Sequence, residues 1–493
     1  MSFRITSNMM RNTYQYNLMN STNNLNNSME KVQTQRNFNS YAEDPASATL
    51  AFRLRREYFQ TSSQIANSKD VYSKFNTGWN NIQGMLKDLI NPMDKVSIIR
   101  GDSDTSGESR TALAQILRES SESMIQGFNQ QLGGHFIFAG NDGLNAPFTW
   151  KDGNLYYRGI DVNSGGMKPP TAPEPTWIED VRTAAEAAGT WTNHDEDWYN
   201  YYTHQTDKIP PSAEPTWLTD EASKDGQITD EEQAWIDYYR HETTEPPTAE
   251  KPKWADSAPD KYGIPEDMPQ FSDDEMETKW IAYYTDQANY AKLKEMSEEE
   301  MYIDLGMGAA EKGANNPLRG TYFNSALSGL NFLDYGVDED GDPKNFAVLL
   351  NELADVFDNW NENGQKYVPD EYLELTGEEL KQLMEDKPEV AEEINAYNDA
   401  AREKAFRLMD KLKEAQETLT AANVELDARS SFLQTNLSQL QTQATDLNTQ
   451  ILDVEQVDMA AAITEMSWDQ YCYSAALKIG NQLLSQSLID YMN

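Results

Sequence analysis

The chain has 493 residues, more than one ordinary domain holds. It carries 82 acidic and 40 basic residues, and this net charge of −42 argues against binding to nucleic acid or to an anionic membrane surface. Half of the excess lies between residues 165 and 329, where 34 acidic residues outnumber 13 basic ones for a net charge of −21.

Cysteine usage and hydropathy limit the location of the protein. Cys472 is the single cysteine, so no disulfide can form within the chain. This is typical of a reducing compartment, or of a protein exported without disulfide-dependent folding. No apolar run approaches the ~20 residues of a membrane span. Residues 1–8 lack the apolar stretch of a signal peptide, so we expect export without a cleaved signal.

The first 132 residues have the pattern of three helices. Residues 4–32 place apolar side chains on one helical face, but their many Asn side chains compete for backbone hydrogen bonds, so this helix should need a packing partner. The sequence Glu43-Asp44-Pro45 is typical of a first helical turn and predicts a second helix that ends near Pro92. A third helix is predicted from Ser109 to Leu132, with Gly133-Gly134 ending it.

The pattern then changes to short strands. Three segments are predicted to be short strands, at residues 135–140, 146–150 and 155–160. Asp152-Gly153 lies between the last two segments and predicts a tight hairpin turn.

An internal repeat of about 40 residues follows. Its three copies begin with a Pro-rich segment that ends at Trp177, Trp217 and Trp254. Each then has a short helix with the pattern Trp-x-x-Tyr-Tyr, starting at Trp198 and Trp235 in the first two copies and at Trp280 in the third. The predicted helix caps are Asn193 with Glu196, Thr229 with Glu232 and Ser272 with Glu275. Three copies indicate duplication and an array of similar modules.

The last hundred residues carry a heptad pattern. Leu or Val recurs every seventh residue from Leu412 to Val454, and a second apolar row accompanies it. No Pro or Gly occurs between Glu389 and Gly480. This predicts a long coiled-coil helix, whose seam the N-terminal helices would cover.

The predicted fold class is therefore mainly α with an inserted β or mixed region, in which the N- and C-terminal helices form a long antiparallel coiled-coil rod and the repeats lie in a central insertion. Four regions are predicted: a terminal helical assembly domain at 1–45 and 455–493, a helical rod domain at 46–134 and 345–454, a strand- and turn-rich connection at 135–164 and 315–344, and an acidic insertion with three Trp-x-x-Tyr-Tyr repeats at 165–314.

Several motifs at the two ends of the chain resemble the flagellin superfamily, and within it the hook-associated proteins of the hook–filament junction. The similar segments are Arg4-Ile-Thr-Ser-Asn-Met-Met10, Glu43-Asp-Pro45, Gly133-Gly-His-Phe-Ile-Phe-Ala-Gly140 with Ala146-Pro-Phe148, Val457-Asp-Met-Ala-Ala-Ala-Ile-Thr464 and Ser487-Leu-Ile-Asp-Tyr-Met492. The resemblance covers residues 1–165 and 400–493 and does not reach the repeats. Thr34-Gln-Arg-Asn-Phe38 departs from the family pattern.

The resemblance implies a structural subunit of the extracellular bacterial flagellum that is exported unfolded and acts in filament assembly and motility. Its implied partners are the neighbouring flagellar axial proteins (a hook-associated protein and flagellin), further copies of itself in a ring, and a flagellar export chaperone. Flagellin itself, the main filament subunit, is the nearest alternative. A surface adhesin or glycan-binding protein built on the same rod is another.

The last part of the heptad helix has few charges, which favours packing between subunits over a solvated surface. The residues predicted to lie in a subunit interface are Ile5, Met9, Leu18, Leu25, Leu437, Leu440, Leu447, Ile451, Val454, Leu477, Leu484 and Leu488.

Other sites have weaker signals. No metalloprotease, serine hydrolase, phosphate-loop or Cys/His motif occurs, so we predict neither an enzyme nor a cofactor or metal site. Residues 221–232 contain the later half of a calcium loop, but Thr229 and Glu232 are better explained as a helix cap, and calcium binding at Asp225–Glu232 stays open. The repeat aromatics could stack on a carbohydrate, although small modules need such side chains as core.

Overall fold

A computed structural model describes residues 7–101, 107–224, 228–257, 267–306, 322–359 and 377–492, together with Pro369, Tyr372 and Leu375. Of the residues described, 68% are helical, with long helices at both ends of the chain and a small mixed β region inserted between them. The predicted fold class is confirmed.

The helices and strands are as follows in chain order. The helices are α1 (Ser7–Thr34), α2 (Pro45–Gly101), α3 (Gly107–Phe128), α4 (Trp177–Ala188), α5 (Asn193–Tyr202), α6 (Trp217–Ala222), α7 (Asp230–Tyr239), α8 (Glu275–Ser297), α9 (Leu330–Leu333), α10 (Phe346–Asn359), α11 (Gly377–Asp386), α12 (Pro388–Glu455) and α13 (Met459–Met492), with a 3₁₀ helix at Lys253–Ser257. The strands are β1 (Gln131–Leu132), β2 (His135–Phe136), β3 (Phe148–Lys151), β4 (Asn154–Tyr157), β5 (Ile160–Asp161), β6 (Tyr302–Asp304) and β7 (Tyr322–Asn324).

The chain divides into two units. Their boundaries differ from those of the four predicted regions. Unit one comprises residues 1–77, 301–325 and 426–493, and unit two comprises residues 78–300 and 326–425. The predicted domain boundaries stay a prediction.

In unit one, α1 packs along α13 in the antiparallel direction. Arg36 pairs with Gln456 through the backbone, the Lys31 ammonium lies 3.4 Å from the Glu465 carboxylate, and Tyr14 abuts Gly480. As the residue number falls along α1, the number of its contact residue on α13 rises, so the two helices are antiparallel.

The α2 and α12 segments of unit one are also antiparallel, as the heptad pattern predicted. Leu54 packs against Leu447 and Ile451, and the Asn436 side-chain amide donates to the Ser68 hydroxyl at 3.1 Å. The antiparallel β6–β7 pair packs beside them, since the same Asn436 amide also donates to the Leu305 carbonyl at 3.1 Å.

The helix predicted to run without a break past Glu389 is interrupted at residues 456–458. Pro and Gly are absent there, but Asp458 caps a new helix by accepting hydrogen bonds from the backbone N–H groups of Ala460 and Ala461 at 2.9 and 3.2 Å. In addition, the Asn37 N–H donates to the Glu455 carbonyl at 2.8 Å, which holds the end of α12 against the α1–α2 connection. The prediction of one continuous helix is wrong because it counted breaking residues and not caps.

In unit two, α3 packs against α10, and the Ser121 hydroxyl donates to the Ala347 carbonyl at 2.7 Å. The predicted end of the second helix near Pro92 is wrong, since α2 includes Pro92 and continues to Gly101. Val96 and Ile99 are buried beyond it. Their burial supplies packing free energy that offsets the hydrogen bond lost at the proline.

Two tight hairpins follow α3. Gly133 and Gly134 both have positive φ (62° and 85°) and form the two-residue turn between β1 and β2, so they do not directly end the preceding helix. Asp152 and Gly153 have φ of 51° and 85° and join β3 to β4, as predicted. Positive φ at both positions matches the right-handed twist of the strands, which explains these residue types.

The core beside these hairpins is aromatic. Phe138 lies between Phe128 and Phe332, with ring centroids 4.7 and 5.4 Å away. The Tyr157 hydroxyl donates to the Phe138 carbonyl at 3.0 Å, and burial raises the pKa of Tyr157 to about 12. The segment Phe136-Ile-Phe-Ala139 therefore has a structural role.

The three repeats form two separate cores. Copies one and two share one cluster, which includes Trp198, Tyr202, Trp235 and Tyr239. Copy three packs Trp280 against Trp254 in a second cluster. The interpretation of the repeat aromatics as core is confirmed by this burial.

Candidate assembly surface

The outer faces of α1 and α13 in unit one expose apolar side chains. Each helix has one stripe of less exposed residues at three- and four-residue spacing, which faces the other helix. Large apolar side chains also lie off that stripe. They are Met9, Met10, Tyr16, Met19 and Met29 on α1, and Ile463, Trp468, Tyr471, Leu477 and Ile479 on α13.

These exposed residues are of the types that interfaces prefer. Trp468 is 65% and Tyr471 67% exposed, and their rings stack at 5.8 Å between centroids. Aromatic and Met side chains are enriched in protein interfaces, and contiguous exposed apolar groups mark interaction sites. We call this set of ten residues the terminal apolar face.

The longer helices of unit one carry further exposed apolar groups. On α2 these are Leu50, Phe52 and Phe59, and on α12 they are Phe432 and Leu452. Phe52 and Phe59 lie two turns apart, so they share one side of α2.

The structure distributes the predicted interface residues unequally. Met9 and Leu477 belong to the terminal apolar face, whereas Leu18, Leu25, Leu437 and Val454 are half-buried within the chain. Ile5 lies outside the described residues, as do the side chains of Leu484 and Leu488.

Three of the predicted interface residues are buried in the single chain. Leu440, Leu447 and Ile451 are 3%, 6% and 7% exposed. Their low-charge surroundings therefore need no second subunit as an explanation. Their assignment to a subunit interface stays a prediction that this burial does not support.

Sequence reasoning missed most of the terminal apolar face. Its signal was present, because α1 and α13 carry apolar residues on more than the one stripe that an intramolecular partner requires. Tyr16, Met19, Trp468 and Tyr471 lie off that stripe, and large apolar side chains that the intramolecular partner does not cover predict a second partner.

One carboxylate cluster has the geometry of a metal site. Asp338, Asp340 and Asp342 each place a carboxylate oxygen within 4.8 Å of the others. The Lys411 ammonium lies 2.5, 2.9 and 2.6 Å from these three groups in turn. Arg407 also donates twice to Asp342, at 2.6 and 3.1 Å. The position that a cation would take is thus filled by the lysine.

The helix caps in the repeats differ partly from prediction. The Thr229–Glu232 capping box is confirmed, while residues 225–227 of the possible calcium loop lie outside the described residues. In copy one the cap is Thr192 with Asp195, one residue earlier than predicted, and in copy three it is Asp274, which accepts from the Glu277 N–H. Neighbouring acceptors compete for these N-termini, and local geometry selects one.

A family model matches the N-terminal part of the chain. Residues 5–142 are similar to the bacterial flagellin N-terminal helical region. The match covers less than a third of the chain. The matched segment spans α1, α2, α3 and the β1–β2 hairpin, so it includes the α1 half of the terminal apolar face.

A solved structure described as a flagellar hook-associated protein from Vibrio parahaemolyticus aligns with 84% of this chain and 100% of its own. The identity is 11% and the TM-score 0.39, which is too low to establish a common fold. No curated protein matches the chain. In the part of the chain that the structure describes, no helix has the length and apolar character to span a membrane.

Proposed function

We propose that this protein is a structural, non-enzymatic subunit of the bacterial flagellum at the hook–filament junction, the position of hook-associated protein 3. It assembles outside the cell through its terminal helices, in a ring of its own copies between a neighbouring hook-associated protein and flagellin. Its export depends on an export chaperone.

The observation that carries this proposal is the terminal apolar face on a flagellin-type N-terminal region. In unit one, α1 and α13 bury few side chains against each other and expose ten large apolar ones. Removing such surface from water contributes about 25 cal/mol per Å². Burial of this face between subunits would supply much of the free energy of assembly.

The junction position rests on the sequence between Gly133 and Phe148, which resembles the junction subgroup. The structure gives this segment a local role, since the glycines turn the β1–β2 hairpin and Phe138 and Phe148 are buried. The segment therefore supports a subgroup by resemblance and not by a contact with a partner.

The test of the interface is the double substitution Trp468→Ser/Tyr471→Ser. Both side chains project from α13 in a single chain, so circular dichroism of the soluble subunit should be unchanged. Cells that carry this variant as their only copy should lose motility. The matched control is Gln470→Ala, an exposed polar position on the same helix, which should retain motility. Normal swimming with the double variant would contradict the proposal.

Location and copy number separate the junction protein from flagellin. Quantitative mass spectrometry of purified filaments should find a small, fixed number of copies, independent of filament length. Cells without the gene should make hooks and release flagellin into the medium. A copy number that grows with filament length would identify the main filament subunit instead.

The adhesin alternative gains no support from the aromatic repeats. Trp198, Trp235 and Trp280 are 5%, 4% and 1% exposed, so their ring faces are not available to a carbohydrate.

A further inference from the structure

The first two repeats meet through a stack of four rings. The order is Tyr201, His241, His204 and Tyr238, with ring centroids 4.3, 4.0 and 4.4 Å apart and interplanar angles of 10°, 19° and 29°. Each histidine lies between the other histidine and the first tyrosine of the other copy. The stack thus has the pseudo-twofold pattern of a symmetric dimer within one chain.

The repeat sequence itself produces this arrangement. His204 lies six residues after Trp198, and His241 lies six residues after Trp235, so both occupy the same repeat position. Both residues follow the end of their helix with φ of +58°, a left-handed conformation in which His is enriched among residues other than glycine. This backbone turns each imidazole away from its own helix and toward the other copy.

Copy three has no histidine at this repeat position. The residue six positions after Trp280 is Asp286, and α8 continues through it to Ser297. The Asp286 carboxylate instead accepts a hydrogen bond from the Met167 N–H at 3.0 Å. Copy three is therefore an internal control for the other two.

Polar contacts hold His241 and Tyr201 in place within the stack. The His241 Nε2–H donates to the Tyr201 carbonyl at 2.7 Å, and the Tyr201 hydroxyl donates to the Arg240 carbonyl at 3.0 Å. Burial and then the neighbouring His241 lower the pKa of His204, while the Tyr238 carbonyl and Asp207 act in the opposite direction.

The surrounding charges provide little compensation. The Asp207 carboxylate is 3.7 Å from His241 Nδ1, but its side chain is 99% exposed and therefore screened. Arg240 is paired with Glu214 at 2.7 Å, and Glu242 also lies near Tyr201. His204 is accessible to solvent, so protons can reach it.

We infer that the His204–His241 stack is a pH-sensitive contact that holds copies one and two of the repeat together at neutral pH and releases them in mild acid. Two neutral imidazoles stack favourably, whereas two imidazolium ions 4.0 Å apart repel. Loss of the contact opens the shared core at the ends of α5 and α7. Copy three keeps its own core.

The sign follows from linkage. Because the pKa of His204 is lowered in the folded state, the unfolded chain binds more protons just below the ordinary His value of about 6.5. Stability of the contact is complete above that value and falls as the pH drops toward the folded-state pKa. At pH 5.5, exclusion of one proton from the closed contact lowers the protection factor against hydrogen exchange by up to about tenfold.

The test is hydrogen–deuterium exchange of the full chain at pH 7.5 and 5.5, corrected for intrinsic exchange. Protection in peptides from 193–205 and 229–242 should fall by up to about tenfold, and protection in 275–297 should be unchanged. In His204→Phe, which keeps a ring in the stack but removes the group whose pKa is lowered, the fall should disappear, and in His241→Phe it should shrink. A fall of equal size in copy three or in His204→Phe, or no fall in the native chain, would overturn the inference.

A second measurement follows the titration of the His204 ring directly. The chain has four histidines, so ¹⁵N-histidine labelling gives few signals. His241→Asn, which suits the left-handed backbone, should raise the pKa of His204, because the neighbouring His241 is one of the groups that lower it. An unchanged titration of His204 would show that the two rings are not coupled.

Discussion

At the scale of single residues, Lys411 decides the character of the acidic turn at residues 338–342. Three carboxylates so close together repel one another unless a cation is shared among them. Burial alone would raise the pKa of Asp342, but hydrogen bonds from Arg407 and Lys411 outweigh it, and the pKa is below its usual value. The cluster is therefore an internal ion network of unit two.

Lys411→Met should destabilise unit two by roughly 2–3 kcal/mol, since it leaves the buried Asp342 carboxylate and its two neighbouring carboxylates with one cation fewer. Urea unfolding followed by circular dichroism measures this. Lys404→Met is the matched control on the same helix, because Lys404 pairs with Glu352 at a half-exposed site and its loss should cost less than about 1 kcal/mol.

The pH dependence of that difference has a definite sign. Because the pKa of Asp342 is lowered in the folded state, its stabilising contribution is present above the ordinary value of about 3.9 and is lost as the pH falls through the lowered value. The difference between Lys411→Met and the native chain should therefore shrink below about pH 4. A difference that persists at pH 2.5 would indicate lost packing of the lysine stem and not lost charge.

Leu447→Asp should unfold unit one, since it places a carboxylate in the buried cluster with Leu54 and Ile451, at a cost of roughly 3–5 kcal/mol. Leu452→Asp, on the same helix but 38% exposed, should change the free energy of unfolding by less than about 0.5 kcal/mol. Thermal unfolding of the two soluble variants distinguishes them. If Leu447→Asp folds normally and only fails to assemble, the residue belongs to a subunit interface after all.

At the scale of elements, α1 and α13 are the helices with the least intramolecular support in unit one. Among the described side chains of α1, only Ser28 is buried, and α13 contributes mainly Ala462. Most helical stability comes from packing of an apolar face, and these helices have half of that packing in a single chain.

Limited proteolysis of the soluble subunit should therefore trim α1 and α13 first and leave α12 intact. These two helices open locally at low free-energy cost because little apolar surface is exposed when they do. Mass spectrometry of the early fragments is the measurement, and assembled protein, in which the terminal apolar face is covered, is the control. First cleavage within α12 would contradict this order.

At the scale of the whole molecule, the insertion has a natural place for removal. The backbones of Thr171 and Thr248 pair directly, with the Ala172 N–H donating to the Pro247 carbonyl and the Ala249 N–H to the Pro170 carbonyl, both at 2.8 Å. Copies one and two lie between these paired segments.

Replacing residues 173–246 by Asn-Gly should leave the rest of the protein folded and able to support filaments. The ends to be joined are already adjacent, and the deleted segment carries its own core. Electron microscopy of filaments formed by cells with this variant is the test.

A longer deletion, from residue 166 to residue 328, is the informative comparison. It removes β6 and β7, whose Phe323 lies 5.3 Å from Phe75 between ring centroids and packs with Arg429 in unit one. The longer deletion should therefore fail to fold. Equal behaviour of the two deletions would mean that β6 and β7 contribute nothing to unit one.

Sequence patterns predicted much of the architecture. The heptad row from Leu412 to Val454 predicted α12 and its antiparallel partner, and Asp152-Gly153 predicted its hairpin, because these depend on neighbours close in the sequence. The repeat aromatics were correctly predicted to be core. Local signals of this kind specify period and turn type without knowledge of the rest of the fold.

Other features depend on tertiary contacts as well as on local signals such as the Asp458 cap. The break at residues 456–458 depends on backbone contacts with residues 35–37, and the passage of α2 through Pro92 depends on buried Val96 and Ile99. Sequence periodicity predicted that Leu440 and Leu447 are covered, but it could not say by what. The sequence does not specify the partner, because the same apolar stripe can pack against a helix of its own chain or of a neighbouring subunit. Only the tertiary structure shows which stripes are already covered within the chain.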